Sequence, residues 1–350
     1  MEEALQALWA ARNRDIVLPV IEVDFSKCAP DVGVVTSLSA PHRIADALLR
    51  DSVTKDGTLF RLSELGKSLT DATAKNAAPL FRVCPTGLVF GLWDSTGPKG
   101  GLGSKFARAL VSEIVGIGAT VGTKTASRID PTSIVTSAGP VFVAREMGPD
   151  GKLTWTLDIM AAKPLRAEKP PKDDKDVGAV EKWGEGQKAG KPTSINHSNI
   201  PPTIDDIAGG VTIDYASHTV VLSLAALRKL SFGEGDIEAR TVLAALGLLA
   251  VLAAESRGHD LRSRCLLVPR KGEALSLQAV RRNGETEDLG LDLNGAIALF
   301  NAAVSALPKP LRFSTQPGEP LATLTPSKKL ADLVARSREL ASTGADVDED

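Results

Sequence analysis

The chain has 350 residues, 43% of them hydrophobic and 24% charged, with Lys and Arg totalling 41 against 43 Asp and Glu. That length supports one large domain or two ordinary ones, and the composition excludes a chain disordered throughout. A formal net charge of -2 excludes a globally basic nucleic-acid binder, so any basic surface has to be local.

Three cysteines, Cys28, Cys84 and Cys265, are too few and too scattered for a disulfide framework or a four-ligand zinc site. They read as buried free thiols in a reducing compartment. The first 14 residues mix acids and bases around Leu5, Leu8 and Trp9 and lack the apolar run of a secretory signal, so a cytoplasmic protein without membrane partners is expected. The most apolar segment, 241–254, is too short an uncharged run to span a bilayer and predicts a buried core helix.

In chain order, 15–25 is apolar without helical periodicity and predicts a buried strand. Pro41 then opens a helix over 42–50 whose face carries Ile44, Ala47 and Leu48. The runs 139–147 and 153–161 flank Gly148-Pro-Asp-Gly151 and predict a hairpin. Between 163 and 192 the sequence holds eight bases and six acids with almost no large apolar side chains, which predicts a mobile surface insertion. A β-rich region at 211–224 precedes the core helix, and short strands follow at 265–269 and 274–282. Asp292 is placed to cap a helix presenting Leu293, Ile297, Phe300 and Val304. A last helix at 326–340 gives way to an acidic tail at 343–350, expected to be disordered. Hairpin signals without a regular βα period favour an α+β fold over a doubly wound parallel sheet.

The segment LVFGLWDSTGPKGGLGSKFARAL at 88–110 reads as strand, glycine loop and helix. Gly97, Gly100, Gly101 and Gly103 allow consecutive amides to face an anion, and Ser104 is placed to cap the helix behind them. On that helix Phe106, Leu110 and Ile114 face the core, while Lys105, Arg108 and Ser112 share the other side. From 97 to 129 five bases, Lys99, Lys105, Arg108, Lys124 and Arg128, stand against the single acid Glu113. This favours a backbone-phosphate site. A cofactor loop and a structural turn with solvated charges remain alternatives, but the Walker order fails because Ser104 precedes Lys105, and no dinucleotide fingerprint is present.

Four histidines, His42, His197, His218 and His259, show no HxxxH or HxH spacing, so a metal site would need long-range convergence. No serine or cysteine triad stands out, and Asp24, Asp94, Asp130 and Asp214 read as turn, cap or edge residues, so neither catalysis nor a cofactor is expected. The polar stretch INHSNIPP at 195–202 offers Asn196, His197 and Asn199 to a phosphate, a sugar or a base edge, or else to its own loop. With 4% aromatics, grip on a backbone is favoured over stacking on bases.

Together with SRIDP at 127–131, INHSNIPP at 195–202, GGVTIDY at 209–215 and DLRSRCLLVP at 260–269, the segment LVFGLWDSTGPKGGLGSKFARALVSEIVG at 88–116 resembles the Cas-seven backbone subunit of type I-G (formerly I-U) CRISPR Cascade surveillance complexes. The resemblance runs over about 16–307 and is most specific in the glycine segment. It implies a modified RRM, ferredoxin-like core of the RAMP superfamily, with an antiparallel sheet and inserted thumb and finger elements. One domain would then span 15–310, with 163–194 as a possible thumb, followed by a C-terminal extension at 311–342. It also implies a non-enzymatic scaffold in antiviral defence. Copies polymerise along a guide RNA that pairs with target DNA, beside a large subunit, a Cas-five/Cas-six type fusion subunit and a recruited nuclease-helicase. By charge and position the expected RNA contacts are Lys99, Gly100, Gly101, Gly103, Ser104, Lys105, Arg108, Ser127 and Arg128, then His42, Arg43, Asn196 and His197. The competing readings are a phosphate-binding enzyme using the loop 97–105 and a protein-only assembly scaffold.

Overall fold

The computed structural model describes residues 1–10, 16–39, 49–94, 104–124, 130–166, 171–173, 175–197, 205–261, 265–273 and 275–342. The helix expected at 42–50 falls mostly outside them, as does the acidic tail.

Helix α1 (Glu2–Ala10) leads into strands β1 (Ile21–Asp24), β2 (Val34–Thr36) and β3 (Ser52–Val53). Helices α2 (Glu64–Asp71), α3 (Ala78–Val83) and α4 (Thr86–Val89) follow. Then come β4 (Leu92–Trp93), β5 (Ser104–Phe106), β6 (Leu110–Ile117), β7 (Thr120–Lys124), β8 (Phe142–Val143) and β9 (Trp155–Thr156). The second half carries β10 (Asp205–Thr212), β11 (Tyr215–Leu222), α5 (Leu224–Leu227), α6 (Asp236–Glu255), β12 (His259–Leu261) and β13 (Cys265–Leu267). It closes with β14 (Gln278–Val280), β15 (Thr286–Asp288), α7 (Leu293–Ser305), β16 (Ala322–Pro326) and α8 (Lys328–Ser342).

The result is a mixed α and β architecture with small, mostly antiparallel sheets, compatible with the α+β class. The expected first strand is β1, shorter than the apolar run that contains it; Ile21 and Val23 are buried, as are Ile16, Leu18 and Val20 before it. The largest sheet has the order β2-β1-β16-β3. Its central pair is parallel, Ile21 opposite Ala322, so this sheet is mixed where an antiparallel one was expected. The two strands lie at opposite ends of the chain, and no hairpin constrains their direction.

Helix α6 is the centre of the core. Asp236 and Glu238 in its first turn complement the helix dipole, and a nearly continuous run from Val242 to Ala254 is buried. By length and composition alone it could cross a bilayer, yet most of it is enclosed by protein, as expected for a core helix. Around it Phe81 meets Phe232 edge-on at 5.3 Å and Phe313 at 5.2 Å, favourable aromatic geometry. Asp292 caps α7 as expected, accepting from the Gly295 amide at 2.7 Å.

The glycine segment corrects the sequence reading. No helix follows the loop: residues 104–106 pair with β4, and Leu110–Ile117 pairs along its whole length with β11. Val111, Ile114, Val115 and Ile117 are β-branched, and long-range pairing with 215–222 outweighs the helical spacing of Phe106, Leu110 and Ile114. Lys105, Arg108 and Ser112 therefore share no helical face.

Leu110 lies opposite Leu222, Ile117 opposite Tyr215 and Thr120 opposite Thr212. The register of β6 with β11 continues into β7 with β10 at Thr120–Thr212 and Val121–Val211, so the four strands form one long ribbon, whose register then shifts between Gly209 and Asp205. Its inner face begins with buried Leu110 and continues through half-buried Ile114, His218 and Val220. Its outer face exposes Val111, Val115, Ile117, Tyr215 and Val221.

The expected hairpin is β8–β9, with Phe142 opposite Thr156. The charged stretch after it is joined to it: the Lys163 amide donates to Val143 O at 2.8 Å and the Trp183 amide to Val141 O at 2.9 Å. Val180, one of its rare apolar residues, is buried against Phe142 and Ile159.

Candidate nucleic-acid interface

A buried ionic tie stands where several segments meet. His197 has a fully buried side chain between two carboxylates, its Nε2 3.5 Å from Asp51 Oδ2 and its Nδ1 3.5 Å from Asp130 Oδ2. Three local structures deliver these groups. Asp51 ends a 3-10 turn, Leu49–Asp51, that runs straight into β3. Asp130 closes on its own backbone, with Oδ1 accepting from the Thr132 amide at 2.9 Å and from its hydroxyl at 2.6 Å, which leaves Oδ2 for the histidine. His197 follows the 3-10 turn Pro192–Ile195, capped by Asn196 in the left-handed region at φ 63. Arg50 completes the arrangement, pairing with Asp51 at 3.3 Å and donating to the Ile195 carbonyl.

The electrostatics follow from the geometry. Burial works against the His197 imidazolium, but Asp130 and Asp51 outweigh it and hold its pKa above the usual 6.5. Burial likewise works against the Asp51 carboxylate, and Arg50 with His197 overcomes it, leaving the group well below the ordinary carboxylate range.

Arg50 and Asp51 form part of the wall of a cavity of about 400 Å³. Arg61, Lys152, Lys328 and Lys329 add cations to that wall, against the acids Asp51 and Asp150. Lys329 donates to the Thr154 hydroxyl at 3.0 Å and lies over the Trp155 ring at 5.9 Å; burial lowers its pKa and Asp51 opposes that shift. Arg61 pairs at 2.9 Å with Asp94, the buried residue that precedes the glycine loop. A cationic concavity of this kind suits a phosphate, with tryptophan and aliphatic surface beside it.

The predicted RNA contacts are distributed unevenly. His42, Arg43, Lys99, Gly100, Gly101, Gly103, Ser127 and Arg128 lie outside the described residues. Ser104 and Lys105 lie in β5. Arg108 is exposed and lines a different cavity, beside Phe90, Leu110 and His259. Asn196 is the cap described above, and His197 faces carboxylates in the interior rather than solvent. Arg50, Asp51, Arg61, Lys152 and Lys329 were not singled out from the sequence. Asp130 and His197 both fall inside quoted motifs, but no spacing links them to each other or to Asp51.

Two histidines do converge. His218 and His259 lie with ring centroids 4.4 Å apart, beside Glu255. Burial and then the neighbouring His259 lower the His218 pKa.

Residues 1–121 match the family model described as CRISPR-associated protein GSU0053. The matched range includes the whole glycine segment 88–116 and supports a CRISPR-associated protein with a role in CRISPR-Cas defence. Among curated proteins, none matches the chain.

Proposed function

We propose that the chain is a non-enzymatic, guide-RNA-binding backbone subunit of a CRISPR effector of the type I-G Cascade kind, with several copies lining one RNA. One observation carries the reading. In the sequence the predicted contacts His42 and Arg43 precede Arg50 and Asp51, Lys99, Gly100, Gly101 and Gly103 follow Asp94, Ser127 and Arg128 precede Asp130, and Asn196 precedes His197. Asp51, Asp94, Asp130 and His197 all belong to ion pairs, and Arg50, Asp51 and Arg61 among their partners line the cationic cavity. The ion pairs have defined geometry, and the cations of the cavity wall beside them, Arg50, Arg61, Lys152, Lys328 and Lys329, suit the phosphates of an RNA backbone. The N-terminal match to a CRISPR-associated family supports the same reading.

The ribbon supplies the contact between copies. Its outer face presents a row of apolar side chains, Val111 directly opposite Val221 and Ile117 opposite Tyr215. A two-stranded ribbon is marginal on its own, and a repeating protomer offers the same receiving surface to each ribbon. Guide pairing then reads the target DNA, while the large subunit, the fusion subunit and a nuclease-helicase do the rest.

The reading is tested by measuring RNA affinity across a salt series for the wild-type chain and for Lys99→Glu and Lys152→Glu. Phosphate grip predicts that affinity falls linearly on a log–log plot, and that each variant flattens the slope by about one unit. Salt-independent binding of a small phosphorylated ligand, with no affinity for RNA, would favour the enzyme reading instead.

A further inference from the structure

Helix α6 ends at Glu255, and the chain reverses within three residues. Gly258 makes the turn at φ +73, where a side chain would be strained and a Cβ would come within 2.9 Å of Leu267 O. The reversal delivers His259, first residue of β12, back over the last turn of the helix, with its Nε2 3.7 Å from Glu255 Oε2. That nitrogen is buried and makes no hydrogen bond. From the other side comes His218, on the inner face of ribbon strand β11, its ring inclined at 73° to that of His259. Ser112, on the paired strand β6, holds His218 Nε2 at 2.8 Å and so fixes the ring.

The geometry points to a divalent transition-metal site of the zinc class formed by His218, Glu255 and His259. One ligand atom from each residue lies within 4.8 Å of the other two. Four-coordinate zinc, with bonds of about 2.0–2.2 Å, sets its ligands roughly 3.3–3.5 Å apart, so modest side-chain rotations close the set. Two imidazoles with one carboxylate suit zinc or cobalt and disfavour magnesium and calcium, which take oxygen ligands. A buried imidazole nitrogen without a hydrogen bond costs free energy in the metal-free fold, and coordination removes that cost. The serine hydroxyl plays the orienting part that outer partners play for metal-bound histidines. His259 also lines a cavity of about 400 Å³ with Phe90, Arg108, Leu110 and Ile114, from which water or an exogenous donor would complete the set.

The three ligands belong to the ribbon, the core helix and β12, so the bound metal ties the root of the ribbon to the body of the protein. That consequence is independent of the RNA reading.

The test uses the untagged full-length chain, stripped with chelator and titrated with cobalt(II), then zinc(II). The expected result is one equivalent of cobalt, with the visible absorption of a four-coordinate site, displaced by zinc. Binding should weaken at least about tenfold in His218→Ala, His259→Ala and the near-isosteric Glu255→Gln, and persist after the cysteines are alkylated. Zinc should also slow amide exchange in 215–222. No stoichiometric binding by the wild type overturns the proposal, as does binding unchanged in all three variants or abolished by alkylation. Zinc that binds but leaves exchange in β11 unchanged overturns the tie between ribbon and helix.

Discussion

His197 shows how one side chain can organise several segments. Its imidazolium is favoured in the fold because Asp51 and Asp130 face it from two sides, with Arg50 beside Asp51. A raised folded pKa contributes stability that is complete below the unfolded value of 6.5 and is lost as pH rises through the folded value. Asp51 has the opposite sign: its contribution is present above its ordinary 3.8 and is lost as pH falls through its depressed folded value. Thermal stability should therefore be greatest at about pH 5 to 6.5 and decline on the alkaline side. His197→Gln should abolish the alkaline decline and cost about 3–5 kcal/mol, because the buried Asp130 and half-buried Asp51 carboxylates would then lose the cation between them. Unfolding curves across pH check both, and an unchanged alkaline limb in the variant would refute the assignment. None of this was legible in the sequence, where Asp51, Asp130 and His197 are separated by scores of residues and lack any motif that joins them.

At the scale of elements, legibility followed the range of the interactions. The hairpin β8–β9, the capped helix α7 and the buried helix α6 rest on local signals, a Gly-Pro-Asp-Gly turn, an aspartate cap and an apolar run, and all were foreseen. The stretch after the glycine loop was not, because its strand character depends on a partner about a hundred residues later. The second strand of the ribbon was recognisable as β-rich but carried no sign of which strand it joins. Helix α2 offers a test of packing near the cavity. Ser63 caps it through the Gly66 amide at 3.1 Å, and a Cβ on Gly66 would fall 1.9 Å from Phe60 O, a backbone atom. Gly66→Ala should destabilise the protein by about 1–3 kcal/mol despite its better helix propensity. Denaturant unfolding measures this, and a gain in stability would mean that the close approach to residues 60–61 is wrong. The ribbon makes the contrary prediction: Val115→Asp on the exposed outer face should leave unfolding within about 0.5 kcal/mol of wild type while abolishing contact between copies, read as particle mass.

For the molecule as a whole, near-neutral net charge concealed a local concentration of cations. The sequence placed it on the segment 97–129; the structure adds a second concentration, the cavity wall formed by Arg50, Arg61, Lys152, Lys328 and Lys329. Arg61 of that wall pairs with Asp94, the residue that precedes the glycine loop in the sequence. The central claim is that this surface grips RNA and that copies repeat along it. It is tested most directly by co-expressing the chain with its co-encoded guide RNA and partner subunits, then measuring particle mass and bound-RNA length together. The account predicts RNA of discrete length carrying several copies of the chain, both lost in the double variant Lys105→Glu, Arg108→Glu. Particles free of RNA in every preparation would contradict it.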